Sequence, residues 1–245
     1  MMETPGSNSQ DRRIEVDAGA VVVQGYLNIP ENARGIVLFA QASENISYDY
    51  IAQLLREGSS DPGRLATLVV NLLTPEDQTL DRETGFFRDN LSVLHQRIVG
   101  IANSLRENPE TQGLSIFYFG AGPSGSAALV AAAVRPDVVV AVISANGLLD
   151  LAKDHSFYPG VSIRVGLQDL GKEYLSEITV PTLLIVGEKD TSAVDTNRKL
   201  LDQIQAHNKK LEIIPGVRNL FENRNTQEEV ARLAGEWYGR FLGLV

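Results

Sequence analysis

From Gly35 onward the chain alternates short, unbroken apolar runs with longer stretches in which apolar residues return every three or four positions, and this alternation constrains the fold most. The runs cover residues 35–40, 66–73, 114–119, 138–144, 182–186 and 211–214. A strand with one wet face alternates apolar and polar residues. Unbroken β-rich runs need cover on both faces, the state of a strand inside a parallel sheet. Between them, Tyr50, Ile51, Leu54 and Leu55 share one helical face. Leu91, Leu94, Ile98, Ile101 and Leu105 share a second, and Val230, Leu233, Ala234, Trp237 and Phe241 a third. Repeated strand–helix–strand units predict an α/β fold with a doubly wound, mostly parallel sheet. Ahead of it, 14–16 and 21–28 flank the turn Asp17-Ala18-Gly19 and predict an antiparallel hairpin.

With 245 residues the chain can bury one large core, and 43% hydrophobic and 22% charged residues are the proportions of a globular protein. The expected organisation is a loose polar tail over residues 1–11 and one domain over 12–245, with an insertion at about 151–178. A net charge of −9, with no block of Lys and Arg, argues against nucleic acid and against an anionic membrane as partners. The absence of Cys excludes disulfides, thiolate zinc sites and a Cys nucleophile. Residues 1–13 lack the apolar segment of a signal peptide and no apolar run reaches spanning length, so the expected location is the cytoplasm. Glu44, Asp49, Asp77 and Asp81 are scattered without His or Cys at ligand spacing, so neither a metal nor a cofactor is expected.

Ser115-Ile116-Phe117-Tyr118-Phe119 runs into Gly120-Ala121-Gly122-Pro123-Ser124-Gly125-Ser126 and then into an Ala-rich stretch, 127–134. A strand, a turn crowded with small residues and a helix are the setting of a nucleophile elbow, whose tight bend needs small neighbours. Two later segments join it. One is Pro181-Thr182-Leu183-Leu184-Ile185-Val186-Gly187 with Asp190; the other is Leu211-Glu212-Ile213-Ile214-Pro215-Gly216 with Leu220-Phe221-Glu222. Together these resemble the elbow, acid strand and histidine loop of the cap-less dienelactone-hydrolase branch of the α/β-hydrolase superfamily, over roughly residues 12–243. The resemblance implies an α/β-hydrolase fold. It places the family's nucleophilic Ser on Gly122, its acid on Asp190 and its His on Asn219, in the family's chain order.

That register implies a triad that keeps its acid and loses its other two members. Gly122 has no side chain to attack a carbonyl, yet it can take the positive-φ conformation of the bend. The Asn219 amide does not titrate near neutral pH and cannot shuttle a proton. Pro123, following the bend, lacks the backbone N–H that should form the oxyanion hole. The other donor loop reads Gln41-Ala42-Ser43-Glu44 where the family usually begins His-Gly, which brings in a carboxylate.

A competing register exists. Gly122-Pro123-Ser124-Gly125-Ser126 nearly matches G-x-S-x-G, and it makes Ser124 the nucleophile with Gly125 supplying the oxyanion N–H. The Gly122 register fits the strand end and the helix without a gap, and Ser124 then sits in the first helical turn as a capping residue. Ser124 also lacks an evident partner: His95 lies at the edge of an apolar helical stripe, His207 at a helix end in Ala206-His207-Asn208, and His155 in a loop. Asp190, after a buried strand, fits a catalytic relic, a turn residue or a helix cap alike.

The carboxyl edge of a parallel sheet leaves a crevice in which ligands bind whether or not chemistry follows. Its expected contacts include Gln41, Ala42, Glu44, Arg88, Pro123 and Arg218. Arg88, Arg82 and Arg218 offer charge to an acidic ligand, although solvated surface arginines read the same way. Residues 73–85, rich in acids and Thr, read as an exposed loop. Within 151–178, Val161-Ser162-Ile163-Arg164-Val165 alternates like a short strand behind a Tyr158-Pro159-Gly160 turn. Such a strand covers the cleft or pairs with a second copy to make a homo-oligomer; the other reading is a decorated surface loop. The expected function is non-catalytic binding of a small molecule or a protein partner. The alternatives are a serine esterase or lactonase using Ser124, and a scaffold whose cleft is unused.

Overall fold

The apolar runs become strands within a few residues of their expected bounds in the computed structural model, which describes residues 11–42, 46–58, 64–87, 90–147 and 174–242. They are β3 (Gly35–Gln41), β4 (Leu65–Asn71), β5 (Ser115–Ala121), β6 (Val139–Ala145), β7 (Thr182–Gly187) and β8 (Lys209–Ile214). The hairpin forms as expected from β1 (Arg12–Asp17) and β2 (Val22–Asn28), paired antiparallel with Val16 opposite Val23. One eight-stranded sheet results, in the order β1-β2-β4-β3-β5-β6-β7-β8. β2 runs antiparallel to β4, and from β4 to β8 every pairing is parallel.

Helices cover both faces, which is why the strands are apolar throughout. They are α1 (Asp49–Glu57), α2 (Pro75–Thr84), α3 (Leu91–Glu107), α4 (Pro123–Val134), α5 (Thr191–Gln203) and α6 (Arg224–Gly239). Ile36, Leu38 and Tyr118 point into a core with Leu94 and Ile98 of α3 and Leu129 of α4. Their chain neighbours Val37, Phe39 and Phe117 point into a second core with Ile51 of α1 and Trp237 of α6. Successive residues of one strand thus serve opposite faces, each buried large side chain contributing about 1.5–3 kcal/mol. α4 is buried from Ser124 through Ala133 and apolar nearly all round, because it lies between the sheet and α3.

Three stretches depart from expectation. The 73–85 stretch is not a loop: Thr74 caps α2 in a capping box with Asp77, Pro75 opens the helix, and Gly85 closes it at φ 67°. The helix before His207 ends at Gln203, so the exposed His207 lies in the bend leading to β8. The region read as an insertion is described only from Tyr174; there Leu175 and Ile178 are core residues, and the expected strand at 161–165 falls outside the described residues.

The topology locates the crevice. The chain leaves β3 through α1 to β4 on one side, then returns past β3 to β5 and continues through α4 to β6 on the other. The winding therefore reverses between β3 and β5, and the carboxyl ends of those two strands flank the switch point at which α/β sheets bind ligands.

Candidate functional site

Gly122 stands at that edge, between β5 and α4, with φ 55° and ψ −128°. This conformation is nearly closed to residues carrying a Cβ. Its N–H donates to the Ala145 carbonyl at the end of β6 (3.0 Å), and its carbonyl accepts from Ser126 N in the first turn of α4 (3.1 Å). The bend is tight: a Cβ at Gly120 would lie 2.4 Å from the Ser124 carbonyl oxygen. Pro123, the exposed first residue of α4, offers no N–H beside the apex.

Ser124 is 2% exposed and lies beneath the bend rather than on it. It does not cap the helix as expected. Its hydroxyl donates to the Ala121 carbonyl at 2.9 Å and is also hydrogen-bonded to the Tyr48 hydroxyl. Tyr48 in turn accepts the Ala121 N–H at 3.0 Å. Burial pushes the Tyr48 phenol up to about 12. The ring packs against Phe119 and Phe221, with centroids 5.5 and 5.8 Å apart, so an aromatic block supports the bend from below.

Among the described residues no imidazole joins this network. His95 is buried, its Nδ1 donates to the Leu91 carbonyl at 2.9 Å, and desolvation holds its pKa below the usual histidine value. His155 lies outside the described residues.

Asp190 closes the turn after β7, its N–H donating to the Gly187 carbonyl at 3.1 Å, and is the N-cap of α5, its Oδ1 accepting from Ala193 N at 3.2 Å. Asn219 is exposed in the loop after β8, where its Oδ1 accepts from Phe221 N at 2.9 Å. The end of β7 and the loop after β8 are tied to the turn after β6 by Asn146, which holds the left-handed conformation at φ 46°. Its N–H donates to the Ile185 carbonyl (2.7 Å), its Oδ1 accepts from Gly187 N (3.3 Å) and its Nδ2 donates to the Arg218 carbonyl (3.4 Å). Asn-Gly at a strand end is a turn signal.

The expected ligand contacts separate. Gln41 ends β3 half-buried and Arg218 is exposed beside Asn219, whereas the side chain of Ala42 is packed into the core and cannot line a crevice. Glu44 and Arg88 lie outside the described residues. An open cleft of about 370 Å³ lies not at Gly122 but toward the antiparallel edge, lined from Gln41 across Asn71 to Tyr26 and Arg13. Among the described residues no three His, Cys, Asp or Glu side chains gather as a metal site, and no helix is long and apolar enough to cross a membrane.

No family model matches the chain. The crystal structure of a dienelactone hydrolase from Anabaena variabilis is 38% identical, covering 95% of this chain and 98% of that one, with a TM-score of 0.80. The esterase domain of a Rhodothermus marinus protein shares the fold with a TM-score of 0.70 at 16% identity, covering 96% of this chain and 100% of that one. Curated proteins from two strains of Mycobacterium tuberculosis, each named "Putative phosphoribosyl transferase", are 35% identical over 233 residues, which is 94% of this chain. The chain spans about half of their length, 46%.

Proposed function

The chain belongs to the dienelactone-hydrolase family of the α/β-hydrolase superfamily, and from that premise we propose that it is a non-catalytic member, binding a small molecule or a protein partner at the carboxyl edge of its sheet. One observation carries the reading: the apex of the strand–helix bend, at φ 55° and ψ −128°, is glycine, so the position that should present the attacking oxygen has no side chain. Two further features support it. Pro123 supplies no oxyanion donor, and at Asn219 an amide that does not titrate replaces the base. The retained Asp190 caps a helix, which accounts for its presence without catalysis.

Hydrolysis through Ser124 is the rival reading. Its hydroxyl is buried and engaged by Tyr48 and the Ala121 carbonyl, neither of which is a general base near neutral pH. The same proposal has neither nucleic acid nor an anionic membrane as partner, on the strength of its −9 charge and its lack of basic blocks. The transferase name of the mycobacterial relatives describes proteins of which this chain matches under half, and it is not carried over.

A fluorophosphonate probe tests the proposal. The expected result is no covalent labelling, together with no turnover of nitrophenyl esters or lactones above buffer. Labelling that disappears in Ser124→Ala overturns it.

A further inference from the structure

We propose that the open cleft between β2, β4 and the first turns of α1 and α2 is a binding site for a neutral, hydroxyl-rich ring, a pyranoside. The cleft's volume, about 370 Å³, lies at the small end of the ~300–1,000 Å³ typical of small-molecule sites. Its polar groups are held in fixed orientations. Asn71 Oδ1 accepts the Leu73 N–H at 2.9 Å, leaving Nδ2 as a donor. Gln78 Nε2 donates to the Leu73 carbonyl at 3.0 Å, leaving Oε1 as an acceptor. The backbone of Leu73 thus orients both amides, and the lining keeps one side-chain donor, Asn71 Nδ2, and one side-chain acceptor, Gln78 Oε1. A vicinal diol matches that pair, because each hydroxyl both donates and accepts.

The walls fit the rest of such a ring. Tyr26, a residue 52% exposed, lines the cleft with no stacking partner among the described residues, a surface for the C–H face of a sugar. Val69 and Leu73 form an apolar floor, 9% and 5% exposed.

Charge argues against an anion. Arg13 donates to Gln24 Oε1, and among the described lining residues its single positive charge is matched in number by that of Asp49, whose Oδ2 accepts the Ser47 hydroxyl. The first turn of α2 is already capped by Thr74 and Asp77, so its N–H groups are not offered to a ligand anion.

This inference deepens the binding half of the proposed function, naming a ligand class for a cleft at the carboxyl ends of β3 and β4, and it does not depend on whether the Gly122 bend is catalytic. It is tested on the full chain by calorimetric titration with the methyl glycosides of β-glucose, β-galactose and α-mannose, with inorganic phosphate and benzoate as ionic controls. The expected result is saturable binding of at least one glycoside, weakened about tenfold in Tyr26→Thr, the value of one good ring contact, and kept in Tyr26→Trp. Thr keeps strand propensity at this exposed position, and an unchanged urea midpoint certifies the fold. Failure of all three glycosides to bind, binding insensitive to Tyr26→Thr, or saturable binding of phosphate or benzoate in their place overturns the proposal. None of these outcomes bears on fluorophosphonate labelling, so the two readings fail separately.

Discussion

The Tyr48 hydroxyl accepts the backbone N–H of Ala121, 73 residues away in sequence, at 3.0 Å, and thereby holds the last residue of β5 just before the chain bends at Gly122. Tyr48→Phe removes that acceptor and strands the buried N–H of Ala121. It is expected to destabilise the fold by about 1–3 kcal/mol, the penalty for buried polar groups left unpaired. Tyr118 makes the opposite case. Its hydroxyl is buried without a partner, so Tyr118→Phe is expected to be neutral or stabilising. Urea unfolding of the two variants decides: equal losses would contradict the asymmetry.

Alkaline pH should attack the same groups. Burial raises the Tyr48 phenol from 10.0 to about 12, and it raises Tyr118 and Tyr238 as well. A pKa higher in the folded than in the unfolded state contributes stability that is complete below the unfolded value and lost as pH rises through the folded one. Stability is therefore expected to be flat with respect to these groups below pH 10 and to fall between pH 10 and about 12. Tyrosinate absorbance should show a late ionisation step that coincides with loss of near-ultraviolet circular dichroism. Complete ionisation with the fold intact would contradict the burial argument.

Much of this was legible in the chain because two-sided burial leaves a strong mark. β3 and β5 feed both cores with consecutive residues, so their sequences are apolar without interruption. α2 escaped because its only buried residue is Asp81 and no apolar stripe marks it. Its Thr74-Pro75-Glu76-Asp77 start was nonetheless a readable capping box with Pro at the first position. At the candidate site the Gly122 bend could be placed from its small neighbours. The hold of Tyr48 on Ser124 could not, because a contact between a loop after β3 and a helix after β5 leaves no local pattern. The Ser124 environment was misjudged for the same reason: a Ser in a first helical turn reads as a cap until its distant partner is known.

Arg97 and Asp77 form an ion pair at 2.6 Å with side chains only 8% and 14% exposed, and Arg97 also donates to the Leu72 carbonyl at 2.6 Å. The pair clamps the start of α2 onto α3, and Asp77 serves the α2 cap as well. Arg97→Ala leaves a largely buried carboxylate uncompensated and is expected to cost about 3 kcal/mol or more. Arg97→Ala with Asp77→Asn should recover part of that loss, since the amide can still accept the Thr74 N–H without a buried charge. Thermal or urea midpoints that do not move in the single variant would show that the pair is solvated.

Restoring the missing groups one at a time tests which of them the bend lacks. A Cβ at Gly122 meets nothing within 4 Å, so Gly122→Ser should fold, with a loss of about 1–3 kcal/mol from the positive φ. The new hydroxyl still has no base, because the Asn219 amide cannot accept its proton, and the single variant is expected to resist fluorophosphonate labelling like the parent. Adding Asn219→His supplies an imidazole in the loop after β8 and should give slow labelling. Adding Pro123→Ala then restores a backbone N–H next to the nucleophile. One oxyanion donor is worth about 10²–10³ in rate, so this third change should produce the largest step. Rapid labelling of Gly122→Ser alone would mean that a base already stands beside the bend, and the assignment of Asn219 to the histidine position would fail with it.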